Sequence, residues 1–125
     1  MLTGVRAAAD ELAAEGIDAC VLDLRWLRPL DEEAIAAAVV DGGGRVLVVH
    51  EAVVSGGFGA GVAAGITERH FDELAAPVQR LGAPDVRMTS APVLQRAVVP
   101  GRGAIIAAAR ELVHATAAAR VPAGA

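Results

Sequence analysis

Several residue types are rare or missing in this chain. Its 125 residues contain no lysine, no tyrosine, one tryptophan, two phenylalanines and one cysteine. A single cysteine excludes an intramolecular disulfide and a metal site built from several cysteines. We expect Cys20, inside an apolar run, to be a small buried core residue, with a reactive thiol as the alternative. The eleven basic residues are scattered arginines, so nucleic-acid binding is not expected.

Long apolar runs are missing as well. No stretch approaches the roughly 20 residues that span a bilayer, and acidic residues interrupt the N-terminal segment where a secretory signal would be apolar. We therefore expect a cytoplasmic protein that does not bind membranes. The composition, 54% hydrophobic and 21% charged, is that of one globular domain. We place this domain at residues 1–120, followed by a flexible tail at 121–125.

The apolar pattern predicts helices that alternate with strands. Helices are expected at residues 5–15, 32–40, 58–70, 92–96 and 105–118. Strands are expected at residues 19–24, 46–49 and 76–81, the first two buried on both faces. This order predicts an α/β domain of three layers, with a mostly parallel sheet and helices on both faces. Because the chain opens on a helix, we expect that the first strand of a larger unit is missing.

The glycine-rich segment at 59–64 fits the loose form of a dinucleotide-binding fingerprint. That motif needs a tight turn directly from strand to helix, whereas we predict about eight residues between Val49 and Gly59. Close packing is the favoured alternative: small residues at 57, 59, 61 and 65 would let this helix and its loop approach another backbone. No P-loop sequence is present.

Charged residues follow the predicted strands. Asp23, Arg25, Asp31 and Glu51 lie at or beyond the presumed carboxyl ends, where ligands of α/β proteins usually bind. As structural residues, Asp23 and Arg25 could pair with neighbours, and Asp31 could cap a helix. At an interface, the planar guanidinium of Arg25 would suit a desolvated carboxylate of a partner.

Candidates for catalysis do not form a complete set. His50 and Glu51 have the ingredients of acid–base chemistry, but adjacent side chains diverge at a strand end. His70 and His114 are expected to be solvated at helix ends, and the three histidines lack metal-ligand spacing. Neither Ser55 nor Ser90 has a nearby base in the sequence. We therefore predict that this chain contains no catalytic, cofactor-binding or metal-binding residue.

Four segments carry a resemblance to a known family. GIDACVLDLRWLRPLDEEAI resembles the C-terminal domain shared by transketolase-like thiamine diphosphate enzymes. VLVVHEAVVSGGFGAGVAAGI, FDELAAPVQRLGAPDV and the segment at 90–100 are similar to the β subunit of the decarboxylating component of 2-oxo acid dehydrogenase complexes. The resemblance covers residues 5–115. It is greatest to the branched-chain type, with the pyruvate and acetoin types close behind.

The resemblance implies a five-stranded, mostly parallel domain that supports subunit assembly in a larger enzyme. Thiamine diphosphate and magnesium would be bound elsewhere in the full enzyme, and this chain alone would bind no cofactor. The partners implied are the α subunit, a second β subunit and the subunit-binding domain of the acyltransferase core. The full complex would decarboxylate a 2-oxo acid oxidatively and transfer the acyl group to lipoamide. Within it, structural or interface roles are expected for six residues: Asp23, Arg25, Asp31, His50, Glu51 and Phe58.

Three departures from the family pattern leave alternatives open. Gly61 replaces a usual glutamate, residues 85–90 lack the prolines and the aromatic residue of the family loop, and Gln95 replaces another glutamate. The chain could instead be a stand-alone interaction or regulatory module derived from such a subunit. It could also be the corresponding domain of a 1-deoxyxylulose 5-phosphate synthase-like enzyme, or an unrelated small-ligand binder. An edge left by a missing strand could make the chain a homodimer.

Overall fold

The computed structural model describes residues 1–115, so the predicted tail at 121–125 lies outside the described residues. In chain order the elements are α1 (Leu2–Ala14), α2 (Glu32–Asp41), β1 (Leu47–Val53), α3 (Phe58–Arg69), β2 (Gln79–Ala83), α4 (Pro92–Val98) and α5 (Arg102–His114). A short 3-10 helix, Phe71–Glu73, precedes β2. None of the helices in this part of the chain is long and apolar enough to cross a membrane.

The two strands form a parallel pair at the centre of the domain. Val48 lies opposite Arg80 and Val49 opposite Leu81, and the register becomes irregular between Val49 and Val53. Successive side chains of a strand point to opposite faces. Val49 and Leu81 therefore pack on one face of the sheet, and Val48 packs on the other.

Helices cover both faces of this sheet. On one face, α1 and α5 contribute a buried cluster of Ala8, Leu12, Ile105 and Ile106. On the other face, α2 and α3 contribute Ile35, Val39, Val62 and Ile66. In α1, α2 and α3 the two buried residues are four positions apart, which places both side chains on one helical face, whereas the two from α5 are adjacent in sequence. The predicted three-layer α/β class with helices on both faces is confirmed.

A local signal sets the start of α2. The Asp31 carboxylate accepts a hydrogen bond from the Ala34 N–H at 2.9 Å and caps α2, as predicted.

Two ion pairs join the surfaces of α1 and α5. Arg110 binds Glu15 through both carboxylate oxygens, and Arg102 Nε lies 3.7 Å from a carboxylate oxygen of Glu11.

The strand predicted at residues 19–24 is absent. Residues 17–31 contain no helix or strand, although Ile17 packs on the α1–α5 cluster and Leu24 on the α2–α3 cluster. Leu22 is 40% exposed, and Cys20 is exposed as well. The predictions of a doubly buried strand and of a buried Cys20 are therefore wrong. An apolar run becomes a strand only where a neighbouring strand supplies its hydrogen bonds, and no described residue does so here.

The strand count and the strand bounds also differ from expectation. Two strands lie in the described residues, fewer than the three predicted from the pattern and the five implied by the resemblance. β1 continues to Val53, so only residues 54–57 connect it to α3, instead of the eight predicted. β2 begins at Gln79, three residues later than expected. That a first strand is missing stays a prediction.

Candidate functional site

Several hydrogen bonds hold the carboxyl ends of the two strands together. The Val54 N–H donates to the Ala83 carbonyl at 3.0 Å, and Arg80 Nη1 donates to the Val54 carbonyl at 2.7 Å. The Ser55 hydroxyl donates to the Asp85 carboxylate at 2.6 Å. The pairing of Ser55 with Asp85 is not among the contacts predicted from the sequence. The signal that could have found it is that both residues follow the ends of neighbouring parallel strands.

The imidazole ring of His50, in β1, packs against three glycines, which have no side chain to collide with it. A Cβ atom on Gly57, Gly59 or Gly82 would lie 2.9, 2.6 or 2.9 Å, respectively, from an atom of the imidazole ring. These three glycines, which we call the glycine cage, come from the loop before α3, the first turn of α3, and β2. Both ring nitrogens are buried and have no hydrogen-bond partner among the described residues.

The environment of His50 favours its neutral form. Burial lowers the pKa of the His50 imidazole, and the positive charge of Arg80 lowers this pKa further. Glu51 points elsewhere: its carboxylate lies 3.1 Å from the amino group of Met1. The predicted divergence of His50 and Glu51 is therefore observed, and the two do not form an acid–base pair in this conformation.

The fingerprint-like glycines at 57 and 59 serve packing. A Cβ on Gly57 would collide with the Val53 carbonyl oxygen, and one on Gly59 would collide with His50. The predicted close approach to another backbone is thus observed at Gly57, whereas Gly59 approaches the His50 side chain instead. It is not observed at Gly61, which has open space around it, nor at Gly65, where only the Arg69 side chain is near.

Asp23 and Arg25 pair with each other. The Asp23 carboxylate accepts hydrogen bonds from the Arg25 backbone N–H at 3.3 Å and from Arg25 Nε at 3.4 Å. Arg25 has a φ of 51°, and a hydrogen bond from the Trp26 N–H to the Leu24 carbonyl closes the turn around it. This conformation costs an L-residue about 1–2 kcal/mol. Both charged side chains remain exposed to solvent.

An open apolar surface lies beside this turn. Residues 22–31, the first turn of α2 and the length of α3 form two adjoining grooves that share Pro29 and Leu30, next to a cis peptide bond between Arg28 and Pro29. Its exposed apolar side chains, which we call the Trp26 surface, are Leu22, Trp26, Leu27 and Phe58. Trp26 is 74% exposed and Phe58 is 42% exposed. Contiguous exposed apolar side chains of this kind mark interaction sites.

The structure divides the six predicted site residues into two groups. Asp23, Arg25 and Asp31 line one groove and Phe58 lines the other, so these four border a single surface. His50 and Glu51 lie in β1, outside the residues that line the grooves. The predicted structural or interface roles of the six stay predictions.

The remaining titratable side chains do not converge. Among residues 1–115, no three His, Cys, Asp or Glu side chains come close enough to hold a metal ion. His70 was expected to be solvated. Its side chain is instead only 14% exposed, and its Nδ1 lies 3.5 Å from the Glu73 carboxylate. His114 is exposed at the end of α5, as expected. That this chain binds no cofactor or metal stays a prediction.

Residues 1–105 match the family model of the transketolase C-terminal domain. The chain belongs to this family. The resemblance drawn from the four sequence segments is therefore confirmed, and the match includes β1, β2, the glycine cage and the Trp26 surface.

Curated members of the family include subunits of 2-oxo acid dehydrogenases. The chain is 40% identical over 103 residues to "Pyruvate dehydrogenase E1 component subunit beta-2, mitochondrial" of Oryza sativa subsp. japonica. This match covers 82% of the chain and 27% of the relative. It is 41% identical over 106 residues to "2-oxoisovalerate dehydrogenase subunit beta" of Bacillus subtilis, covering 84% of the chain and 32% of the relative.

A synthase and a solved structure are also similar. The chain is 40% identical over 114 residues to a "1-deoxy-D-xylulose-5-phosphate synthase" of Anaeromyxobacter sp., covering 90% of the chain and 18% of the relative. The structure titled "Split gene transketolase, inactive beta4 tetramer" superposes with a TM-score of 0.75 at 29% identity, covering 91% of this chain and 36% of that one. The chain thus spans a third or less of the length of these three curated relatives.

Proposed function

We propose that this domain is the C-terminal assembly domain of the β subunit of a thiamine diphosphate-dependent 2-oxo acid dehydrogenase. It would support oxidative decarboxylation of a 2-oxo acid and acyl transfer to lipoamide by the full complex. The observation that carries the proposal is the Trp26 surface, which exposes large apolar side chains to solvent. Two relatives also support the proposal, because they are named as β subunits of such enzymes.

The carboxylates of the domain support a role in assembly rather than in chemistry. Asp31 caps α2, Asp23 binds Arg25, and Asp85 binds Ser55. These three carboxylates are thus engaged by three different local partners, and the described residues do not fit a magnesium site. In this proposal thiamine diphosphate and magnesium are bound by other parts of the complete enzyme, and this chain alone binds no cofactor.

The Trp26 surface has the composition of a protein interface. Trp26 and Phe58 would form an apolar centre, and Arg28, Glu68 and the ion pair of Glu32 with Arg69 would form a charged rim. Aromatic and arginine side chains commonly contribute most of the binding energy at such centres. The partners we propose are the α subunit, a second β subunit and the subunit-binding domain of the acyltransferase core.

A hybrid enzyme tests this proposal. This chain would replace the matched segment of the Bacillus subtilis 2-oxoisovalerate dehydrogenase β subunit, coexpressed with the α subunit of that enzyme. We expect an assembled heterotetramer by light scattering and 2-oxoisovalerate-dependent reduction of an artificial electron acceptor. The substitutions Trp26→Ala and Phe58→Ala should weaken assembly, while Phe71→Ala, at an exposed residue outside the Trp26 surface, should not. A folded hybrid that never recruits the α subunit would contradict the proposal.

Two alternatives rest on separate observations. A stand-alone interaction module is favoured by the exposed Trp26 surface and by a solved relative whose title describes an inactive tetramer of β chains. It predicts that the chain alone forms a stable oligomer, which Trp26→Ala dissociates. A synthase domain is favoured by the relative that covers 90% of this chain. It predicts that a synthase in which this chain replaces the matched domain still forms 1-deoxy-D-xylulose 5-phosphate.

A further inference from the structure

The proposed assembly role does not explain why a histidine fills the glycine cage. A nonpolar side chain could occupy this space without burying two polar nitrogens. The His50 ring buries both, and neither has a hydrogen-bond partner among the described residues. Buried polar groups in native proteins are nearly always paired, so an unpaired imidazole calls for a functional explanation.

The charged groups near the cage do not stabilise a protonated ring. On β2, Arg80 lies opposite Val48, which is on the same face of the sheet as His50 because the two are two residues apart in β1. The positive charge of Arg80, which donates to the Val54 carbonyl, is therefore on the His50 side of the sheet. On β1, Glu51 is bound to the amino group of Met1. In the loop after β2, Asp85 is bound to Ser55.

The helix that packs against the ring is equally unsuited to a charged imidazole. The first ten residues of α3 contain no titratable group, and the charges of Glu68 and Arg69 lie at its far end. Helix N-termini also carry a partial positive charge, which disfavours a cation beside the first turn.

We propose that His50 is a proton-sensitive lock on the loop at residues 54–57. In its neutral form the ring fills the glycine cage between the start of α3 and β2. A proton from solvent that binds a ring nitrogen places a cation beside Arg80, and none of the residues 1–115 gives the ring nitrogens a hydrogen-bond acceptor. The charged ring then leaves the cage for water, and the loop opens. The lowered pKa of His50 keeps this lock closed near neutral pH, and acidification opens it.

Opening would affect the Trp26 surface, a consequence that rests on the proposed function. Phe58 begins α3 directly after the loop, and its side chain lines one groove of that surface. A displaced loop would move Phe58 and weaken partner binding on acidification. The lock itself does not require a partner, so its test is independent of the assembly test.

The lock is tested on the complete chain by nuclear magnetic resonance between pH 8 and pH 4.5. The imidazole signal of His50 reports the titration of that ring. Amide hydrogen exchange at Ala60, whose N–H donates to the Gly57 carbonyl at 2.9 Å, reports opening of the loop. We expect the pKa of His50 to lie below the ordinary histidine value of 6.5. Protection at Ala60, corrected for intrinsic exchange, should fall at least tenfold over the His50 transition, while protection at Ile106 in α5 should not change.

His50→Gln provides the non-titrating variant, and His114→Gln is its matched control. The loss of protection should disappear in His50→Gln and persist in His114→Gln. The proposal is overturned if the pKa of His50 is not below 6.5, if Ala60 stays protected through the His50 transition, or if His50→Gln loses protection as the wild type does. Should His50→Gln fail to fold, the wild-type titration and exchange decide the matter without it.

Discussion

Ser55 and Asp85 join the loops that follow the two parallel strands, although 30 positions separate them in the chain. The serine hydroxyl donates to one carboxylate oxygen at 2.6 Å, and the serine N–H donates to the other at 3.4 Å. Together with the bond from Arg80 to the Val54 carbonyl, this contact fixes the loop that carries Gly57 of the glycine cage.

The Ser55–Asp85 contact should contribute measurably to stability. We expect Ser55→Ala and Asp85→Ala each to lower the free energy of unfolding by about 1 kcal/mol, the usual net value of a hydrogen bond. Urea denaturation of both single variants and the double variant measures the coupling. Because the two side chains bind each other, the double variant should lose less than the sum of the single losses. Strict additivity would show that the contact contributes nothing.

Leu12 anchors the cluster between α1 and α5. It is buried to 2% exposure beside Ala8, Ile105 and Ile106. We expect Leu12→Ala to lower the free energy of unfolding by about 2–5 kcal/mol, because the cavity cannot close fully. Val40→Ala, at a side chain that is 65% exposed in α2, should cost no more than about 0.5 kcal/mol. Equal losses in chemical denaturation would contradict the assigned core.

Gly59 is constrained by the His50 ring. Gly59→Ala would place a Cβ atom 2.6 Å from His50 Nε2, and we expect a loss of about 1–3 kcal/mol from overpacking. Gly61→Ala is the matched control in the same helix. Because that position is open, the substitution should stabilise the protein by about 0.5–1 kcal/mol through the better helix propensity of alanine. Thermal denaturation of the two variants should therefore shift the melting temperature in opposite directions.

Glu15 makes one contribution to stability that depends on pH. The hydrogen bond from Arg110 lowers the pKa of Glu15 from its ordinary value of 4.5. The folded protein therefore holds this proton less tightly than the unfolded chain. The stabilisation is present above pH 4.5 and is lost as the pH falls through the lower folded-state pKa.

Substitution of Glu15 isolates this effect. We expect Glu15→Gln to melt below the wild type at pH 7 and to approach it at pH 3. Glu111→Gln is the matched control. Glu111 lies on α5 next to Arg110, but its carboxylate forms none of the ion pairs found among residues 1–115. The melting temperature of Glu111→Gln should therefore not move towards that of the wild type as the pH falls from 7 to 3. If the melting temperatures of Glu15→Gln and wild type differ by the same amount at pH 7 and pH 3, the proposed pH-dependent stabilisation by Glu15 is excluded.

Local sequence signals were sufficient for most of the helices and for the family. The Asp31 cap, the glycines after α2 and the spacing of Val62 with Ile66 each act within a few residues, and the observed α2 and α3 match their predicted bounds closely. The α/β class followed from the alternation of these helices with apolar runs.

Contacts between distant segments decided the remainder. Residues 19–24 carry the apolar pattern of a strand, yet a strand exists only where a second backbone pairs with it, so the pattern alone misplaced both this element and Cys20. The burial of His50 depends on Gly82, and the position of Ser55 depends on Asp85. Helical hydrogen bonds close within four residues, and the amino acid order therefore specifies them directly. Strand pairing and the packing around His50 join segments some thirty residues apart, and only the folded chain brings those segments together.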